Sequence, residues 1–262
     1  MAKRKSLAGL LEGKRGLIVG VANRKSIAWS IARALAGAGM ELAFTYQGEA
    51  LRERVAKTTA ELGEPPLFEL DVRYDRHFSE LFGDLSERWE RLDFLLHSVA
   101  FAQRETFTEP FVQTRRQAFL TAHEISAYSL VGLVRAALPL MTEGGSVVTL
   151  SYHAAERVVP GYNLMGVAKA SLEACVRYLA SDLGPRNVRV NAISAGAVNT
   201  LAARGIPRFR EMLKRTAEKA PLRRAIEVDE VGRAGLFLAS ELSSGVTGET
   251  LYVDAGANIM AL

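Results

Sequence analysis

The chain has 262 residues, 48% apolar and 24% charged, with a formal net charge of +4, a composition that suits one large α/β domain or two smaller ones. Its basic residues are spread along the chain rather than gathered on one face, so no nucleic-acid partner is expected. A single cysteine, Cys175, excludes a disulfide framework and a cysteine-rich zinc site, and with no apolar window near ~20 residues and no signal-peptide pattern, a soluble cytoplasmic protein is expected.

Gly16 to Gly20 is a short apolar run without polar alternation, as in a strand covered on both faces. The polar turn Gly20 to Lys25 follows, and Ser26 opens a helix whose apolar positions Ile27, Ile31, Ala34, Leu35 and Ala38 fall at helical spacing before Gly39. Strand, glycine turn and helix form the geometry that sets a pyrophosphate on a helix N-terminus. The full G-x-G-x-x-G fingerprint is absent, because Ala22 and Lys25 occupy the second and third glycine positions. An ordinary strand-to-helix turn is an equal reading of these residues alone.

Glu41 to Tyr46 reads as a second strand, ending at Gln47-Gly48-Glu49. In dinucleotide folds this strand end meets the adenosine ribose, and a carboxylate at Glu49 would repel a 2′-phosphate, favouring NADH over NADPH. A helix from Ala50 to Leu62, a strand from Leu67 to Leu70, and a helix from Arg76 to Trp89 follow. Asp71, just past the third strand, reads either as an acceptor for an adenine amino group or as a cap of the next helix. Phe94 to Ser98 is a fourth strand; its His97 lacks an acidic or histidine partner at metal spacing and reads as a satisfied core residue, and no metal centre is expected.

One long helix is predicted from Thr114 to Leu138, then a fifth strand, Ser146 to Leu150. The stretch SYHAAERVVPGYNLMGVAK, which holds Tyr152, Tyr162 and Lys169, comes next and runs into a helical pattern ending at Leu183. Seven residues at about 100° each fall about 20° short of two turns, so Tyr162 and Lys169 leave the helix on one face. A free phenol is a poor acid near neutrality; an ammonium beside it is expected to lower its pKa and to bind ribose hydroxyls, while Tyr152 supplies a second phenol for a developing oxyanion. Taken alone, two tyrosines and a lysine near a helix start also read as packing and surface residues.

Val188 to Ile193 is a sixth strand, followed by Ser194 to Thr200, a loop with short helices, a helix near Asp229 to Leu238, and a last strand, Thr250 to Val253. Seven strands alternating with helices imply one parallel sheet with helices on both faces and a single domain over 1–262. Ligands of such sheets bind beyond the carboxyl ends of the strands. Gly20, Gln47, Asp71, Ser98 to Ala100, Tyr152 and Ser194 to Thr200 all follow strands, so the two tyrosines and the lysine converge on the edge that carries the phosphate turn.

The stretches GVANRKSIAW, ELAFTYQ, HSVAFA, TLSYHAAERVVPGYNLMGVAKASLEA, VRVNAISAG, TLAARGI and GETLYVDAG resemble the short-chain dehydrogenase/reductase superfamily, and within it the bacterial enoyl-acyl-carrier-protein reductases. The resemblance runs from Gly13 to Ala261. The carbonyl-reducing branch has Ser, twelve residues, Tyr, three residues, Lys; counted back from Lys169 those slots hold Met165 and Tyr152. The spacing of Tyr152, Tyr162 and Lys169 is instead that of the enoyl reductases. A β-ketoacyl or other carbonyl reductase is thereby the lesser alternative, and a non-catalytic NAD-binding regulator the alternative of another class.

The resemblance implies a Rossmann-like doubly wound sheet and reduction of a trans-2-enoyl thioester on acyl carrier protein by NADH, ending each fatty-acid elongation cycle. It assigns catalysis to Tyr152, Tyr162 and Lys169. Cofactor contacts fall on Gly20, Ser26, Ile27, Gln47, Asp71, Val72, Ser98, Val99, Ala100, Lys169, Val198 and Thr200. The acyl pocket falls on Phe101, Tyr152, Tyr162, Met165, Leu201, Ala202, Ile206 and Phe209. Ala100, Ala197 and Asn199 depart from residues frequent in the family (glycine, proline and arginine). A substrate-binding lid is expected around 197–215, whose Arg204, Arg208, Arg210, Lys214 and Arg215 read either as a docking face for the acidic carrier or equally as a solvated helix face, and the superfamily likeness implies a homotetramer built on the two long helices.

Overall fold

The computed structural model describes residues 9–200 and 209–260, without the side chains of Phe209, Arg210, Met212 and Arg215. Seven parallel strands form one sheet in the order β3-β2-β1-β4-β5-β6-β7: β1 (Arg15–Val19), β2 (Glu41–Tyr46), β3 (Leu67–Glu69), β4 (Phe94–His97), β5 (Gly145–Ser151), β6 (Val188–Ala195) and β7 (Thr250–Val253). The chain adds β2 and β3 on one side of β1, then returns to lay β4 on the other, so the carboxyl ends of β1 and β4 flank the point where strand order reverses. That is where an open α/β sheet leaves a crevice.

Period-two strands sort their side chains to two faces, and both faces are apolar. Leu17, Val19, Leu95, Val147 and Val190 pack on one side against α3 (Asp75–Ser86), α5 (Ser129–Ala137) and α6 (Asn163–Leu183). Ile18, Phe44, Leu96, Val148 and Ile193 pack on the other against α1 (Ile27–Gly37) and α8 (Val228–Ala239). Helices α1 and α8 approach closely because α8 presents glycine there: a Cβ on Gly232 would stand 2.8 Å from the Ser30 carbonyl oxygen. The Ser30 hydroxyl donates to Asp229 at 2.8 Å across the same contact.

The predicted helix 114–138 is one rod with a defect. Helix α4 (Arg116–His123) passes through a wider turn of π type, Glu124–Tyr128, before α5 begins. Polar side chains inside the apolar pattern account for it. The Ser129 hydroxyl donates to the Ile125 carbonyl at 2.7 Å, and the Ser126 hydroxyl both accepts from Phe101 N at 2.9 Å and donates to Phe101 O at 3.1 Å. Side-chain bonds that divert backbone groups from the regular ladder are a known cause of such turns. The remaining elements are α2 (Glu49–Thr59) and α7 (Phe209–Lys219). Strand β6 runs two residues past its predicted end, to Ala195.

Candidate active site

Strand β5 ends at Ser151 and hands the chain to Tyr152 in an extended conformation, φ −148 and ψ 147. A single turn, His153–Ala155, and a loop bring the chain back to Tyr162, the residue immediately before α6. The two tyrosine rings meet edge to face with centroids 4.9 Å apart, and Phe107 lies edge-on to Tyr162 at 6.3 Å. Lys169 lies two turns further along α6, buried, with its Nζ donating to the Leu150 carbonyl at 2.6 Å.

The charge states differ from the sequence expectation. Desolvation, followed by the neighbouring Tyr152, pushes the Tyr162 phenol up rather than down. Burial also lowers the Lys169 ammonium to about 8, with Glu173 opposing. The expected lowering of the phenol by the ammonium fails on two counts: the amine is engaged by a strand carbonyl, and the hydroxyl sits where charge is poorly solvated. A phenol held protonated donates a hydrogen bond, and that is its chemistry here.

Tyr162 and Lys169 both open on a cavity of about 620 Å³. Its floor is the switch point. Gly20, at φ +102, turns so close to β4 that a Cβ there would run into the Ser98 carbonyl oxygen, so only glycine lets the two strand ends meet. Beside it, α1 starts without a side-chain cap: the Ser26 hydroxyl donates instead to the Asn23 carbonyl at 2.7 Å, contrary to its expected capping of the helix. The first amides of α1 therefore face the cavity as donors for an anion.

At the far end, Gln47 Nε2 donates to Asp71 Oδ2 at 3.1 Å, while the Arg73 guanidinium grips the same carboxylate. The Arg73 contact, ahead of the Gln47 bond, holds Asp71 well below the usual carboxylate range. Asp71 Oδ1 also accepts from Arg73 N at 3.1 Å, which closes the turn leading toward α3. Glu49 is absent from the cavity lining and pairs with Arg52 at 3.6 Å, so the repulsion of a 2′-phosphate assigned to it has no direct geometric support.

Eleven of the twelve sequence-assigned cofactor positions line this one cavity: Gly20, Ser26, Ile27, Gln47, Asp71, Val72, Ser98, Val99, Ala100, Lys169 and Thr200. Val198 is buried and does not. Of the acyl-pocket assignments, Phe101 and Tyr162 line it too, whereas Tyr152 lines a second cavity of about 760 Å³ with Phe107, Val159, Ala197 and Met260. The tyrosine pair thus stands between the two spaces. Met165 is buried and lines neither. Leu201, Ala202, Ile206, Arg204 and Arg208 lie outside the described residues, as do the side chains of Phe209, Arg210 and Arg215.

Sequence reasoning missed Arg73, Ser151, Thr121 and Ile125 in the first cavity, and His153, Lys219 and Asp254 in the second. Arg73 and Ser151 were within reach, each adjoining a strand end. Thr121 and Ile125 come from the middle of a helical rod, where no strand-end rule points. Among the described residues no group of His, Cys, Asp and Glu is placed to hold a metal ion, and no helix is long and apolar enough to cross a membrane.

A family sequence model described as enoyl-(acyl carrier protein) reductase matches residues 20–258. The NADH-dependent enoyl-[acyl-carrier-protein] reductase of Rickettsia prowazekii is 52% identical over 252 residues, covering 96% of this chain and 97% of that protein. One from Rhizobium meliloti is 49% identical over 255 residues, covering 97% and 94%. Among solved structures, the Bacillus cereus enoyl-acyl carrier protein reductase with NADP+ and indole naphthyridinone has a TM-score of 0.95 at 47% identity, covering 97% of this chain and 99% of that one. The Anaplasma phagocytophilum enzyme in complex with NAD has a TM-score of 0.93 at 45% identity, covering 97% and 95%.

Proposed function

The chain belongs to the enoyl-(acyl carrier protein) reductase family, and from that premise we propose how its own residues divide the work. The enzyme reduces the trans-2 double bond of enoyl thioesters on acyl carrier protein with NADH, the final step of fatty-acid elongation. The residues present fit the dinucleotide: a glycine floor that a Cβ would fill, an uncapped helix start for the pyrophosphate, Gln47 and Asp71 toward the adenosine, and the Lys169 ammonium for the nicotinamide ribose.

When bound, NADH supplies the hydride that adds to the β-carbon. The electron pair of the double bond then moves to the thioester oxygen, and Tyr162 hydrogen-bonds that oxygen as it becomes an enolate. The raised phenol pKa keeps the donor proton in place at neutral pH, so Tyr162 serves as hydrogen-bond donor to the enolate oxygen, and the α-carbon takes its proton from solvent. Lys169 orients the cofactor through its ribose hydroxyls. Tyr152 walls the acyl side and braces the Tyr162 ring through their edge-to-face contact. The observation that carries this reading is the opening of Tyr162 and Lys169 onto the one cavity that also holds Gly20 and Asp71.

Tyr162→Phe tests it. One oxyanion donor is worth ~2.7–4 kcal/mol, so kcat for NADH oxidation with enoyl thioesters is expected to fall by about 10²–10³. An unchanged turnover overturns the assignment.

We place a lid over the acyl space around 197–215, with α7 offering Lys214 to the carrier; support comes from Ala197 and Glu211 of that segment lining the second cavity. The active form is taken to be a cytoplasmic homotetramer, the assembly being supported by apolar side chains exposed on α4 and α6.

A further inference from the structure

A buried ammonium needs a reason to stay charged. Lys169 is 6% exposed, and desolvation works against its proton. One turn along the same face of α6 lies Glu173, 5% exposed, whose Oε1 accepts a hydrogen bond from Ser151 Oγ at 2.5 Å; burial pushes its carboxyl up, and the Ser151 bond works against that burial to favour the carboxylate. Two consecutive turns of α6 are therefore tied to two consecutive residues of β5: Lys169 to the Leu150 carbonyl and Glu173 to the Ser151 hydroxyl. Ser151 and Leu150 both line the cofactor cavity, so this pair of ties lies directly behind it.

The other titratable groups around the pair do not serve as counter-charge. His97, from β4, is neutral; Tyr162, at the start of α6, keeps its proton. Glu156, after β5, acts on Glu173 and on the Tyr252 hydroxyl of β7, and Arg177, one turn further along α6, acts on Glu173. Asp254, beyond β7, acts on Tyr152 and His153. Glu173 is the one charged neighbour felt by Lys169 among the described residues.

We propose that Glu173 is a positioning residue for cofactor binding: its carboxylate, fixed by Ser151, holds Lys169 in the charged, strand-anchored form that grips the ribose. The inference rests on the reading of Lys169 as the ribose anchor. Residues four apart on one helix face carry their Cβ atoms about 5–6 Å from each other, and an opposite charge about 4–6 Å away moves a titration by about one unit or more. In Glu173→Gln the amine therefore loses its proton at lower pH while the hydrogen bond from Ser151 is retained.

The test is the equilibrium dissociation constant for NADH between pH 6 and pH 9, followed by tryptophan fluorescence, with kcat/KM measured alongside. For wild type, affinity should fall off with a midpoint near pH 8, the value for Lys169. For Glu173→Gln the midpoint should move down by about one unit, giving about fivefold weaker binding at pH 8 but little change at pH 6. Ser151→Ala, which leaves the carboxylate in place but unsupported, should move it the same way by less, and decides the matter if Glu173→Gln does not fold. Midpoints unmoved in the variants that fold, or a loss equal at every pH, would overturn the proposal. Lys169→Ala separates the two layers: near-normal NADH affinity there sinks the anchor reading itself, whereas weak binding there with an unmoved Glu173→Gln midpoint sinks only this inference.

Discussion

His97 shows how a single residue can be read both from sequence and from structure. It is fully buried, with Nδ1 2.8 Å from Thr149 Oγ1 and Nε2 2.8 Å from Ser129 Oγ. Because Ser129 spends its own proton on the Ile125 carbonyl, Nε2 is the donor and Nδ1 the acceptor. Burial, ahead of the nearby Lys169 charge, pushes its pKa down to about 3. A basic group with a depressed folded pKa leaves the unfolded chain binding more protons, so stability is complete above pH 6.5 and is lost as pH falls toward 3. Urea unfolding at pH 7 and pH 5 should show wild type losing about 2 kcal/mol that His97→Gln does not. Equal losses would mean that the ring already takes a proton in the fold. Its type and spacing marked it as a core residue, and it is one. Tyr162 was legible in place but not in charge, because the sequence shows which residues are neighbours and not how dry their surroundings are.

At the scale of elements, strand ends were the most legible parts, since short continuous apolar runs closed by polar or glycine residues leave little latitude. The break between α4 and α5 was not, because it coincides with the Ser129 hydroxyl bonding back to the Ile125 carbonyl, and a serine in a helical pattern does not announce that bond. Helix α7 was predicted as part of a lid, and its exposed Lys214 pairs with Glu218 at 3.8 Å, an exposed pair of small worth that a partner can displace. Lys214→Glu should raise KM for the carrier-bound enoyl substrate several-fold, with a rise in salt doing the same to wild type. KM for a short neutral enoyl thioester should stay put, since only the carrier brings the acidic surface. If both KM values move together, the helix shapes the pocket rather than docking a partner.

The whole molecule explains why so much of the site could be read without seeing it. A parallel doubly wound sheet gathers every strand end onto one edge, so residues scattered from Gly20 to Thr200 must be neighbours once the strand order is right. The same architecture leaves apolar surface that one copy cannot cover. Leu120, on α4, is 54% exposed and Tyr178, on α6, is 75% exposed, with Phe119 on α4, Val167 on α6 and Tyr128 in the π turn between α4 and α5 exposed as well. At the other end, β7 is a sheet edge, and Leu242 and Ile259 beside it are 65% and 74% exposed. The proposed tetramer would cover both regions, since two self-complementary interfaces on one chain close an assembly of dihedral symmetry rather than a dimer. Light scattering should therefore give four times the 28.5 kDa of one chain. Tyr178→Glu, which buries a charge in one interface only, should halve that mass and leave the fold intact. A monomer from the unmodified chain would show that these faces meet water in the working enzyme.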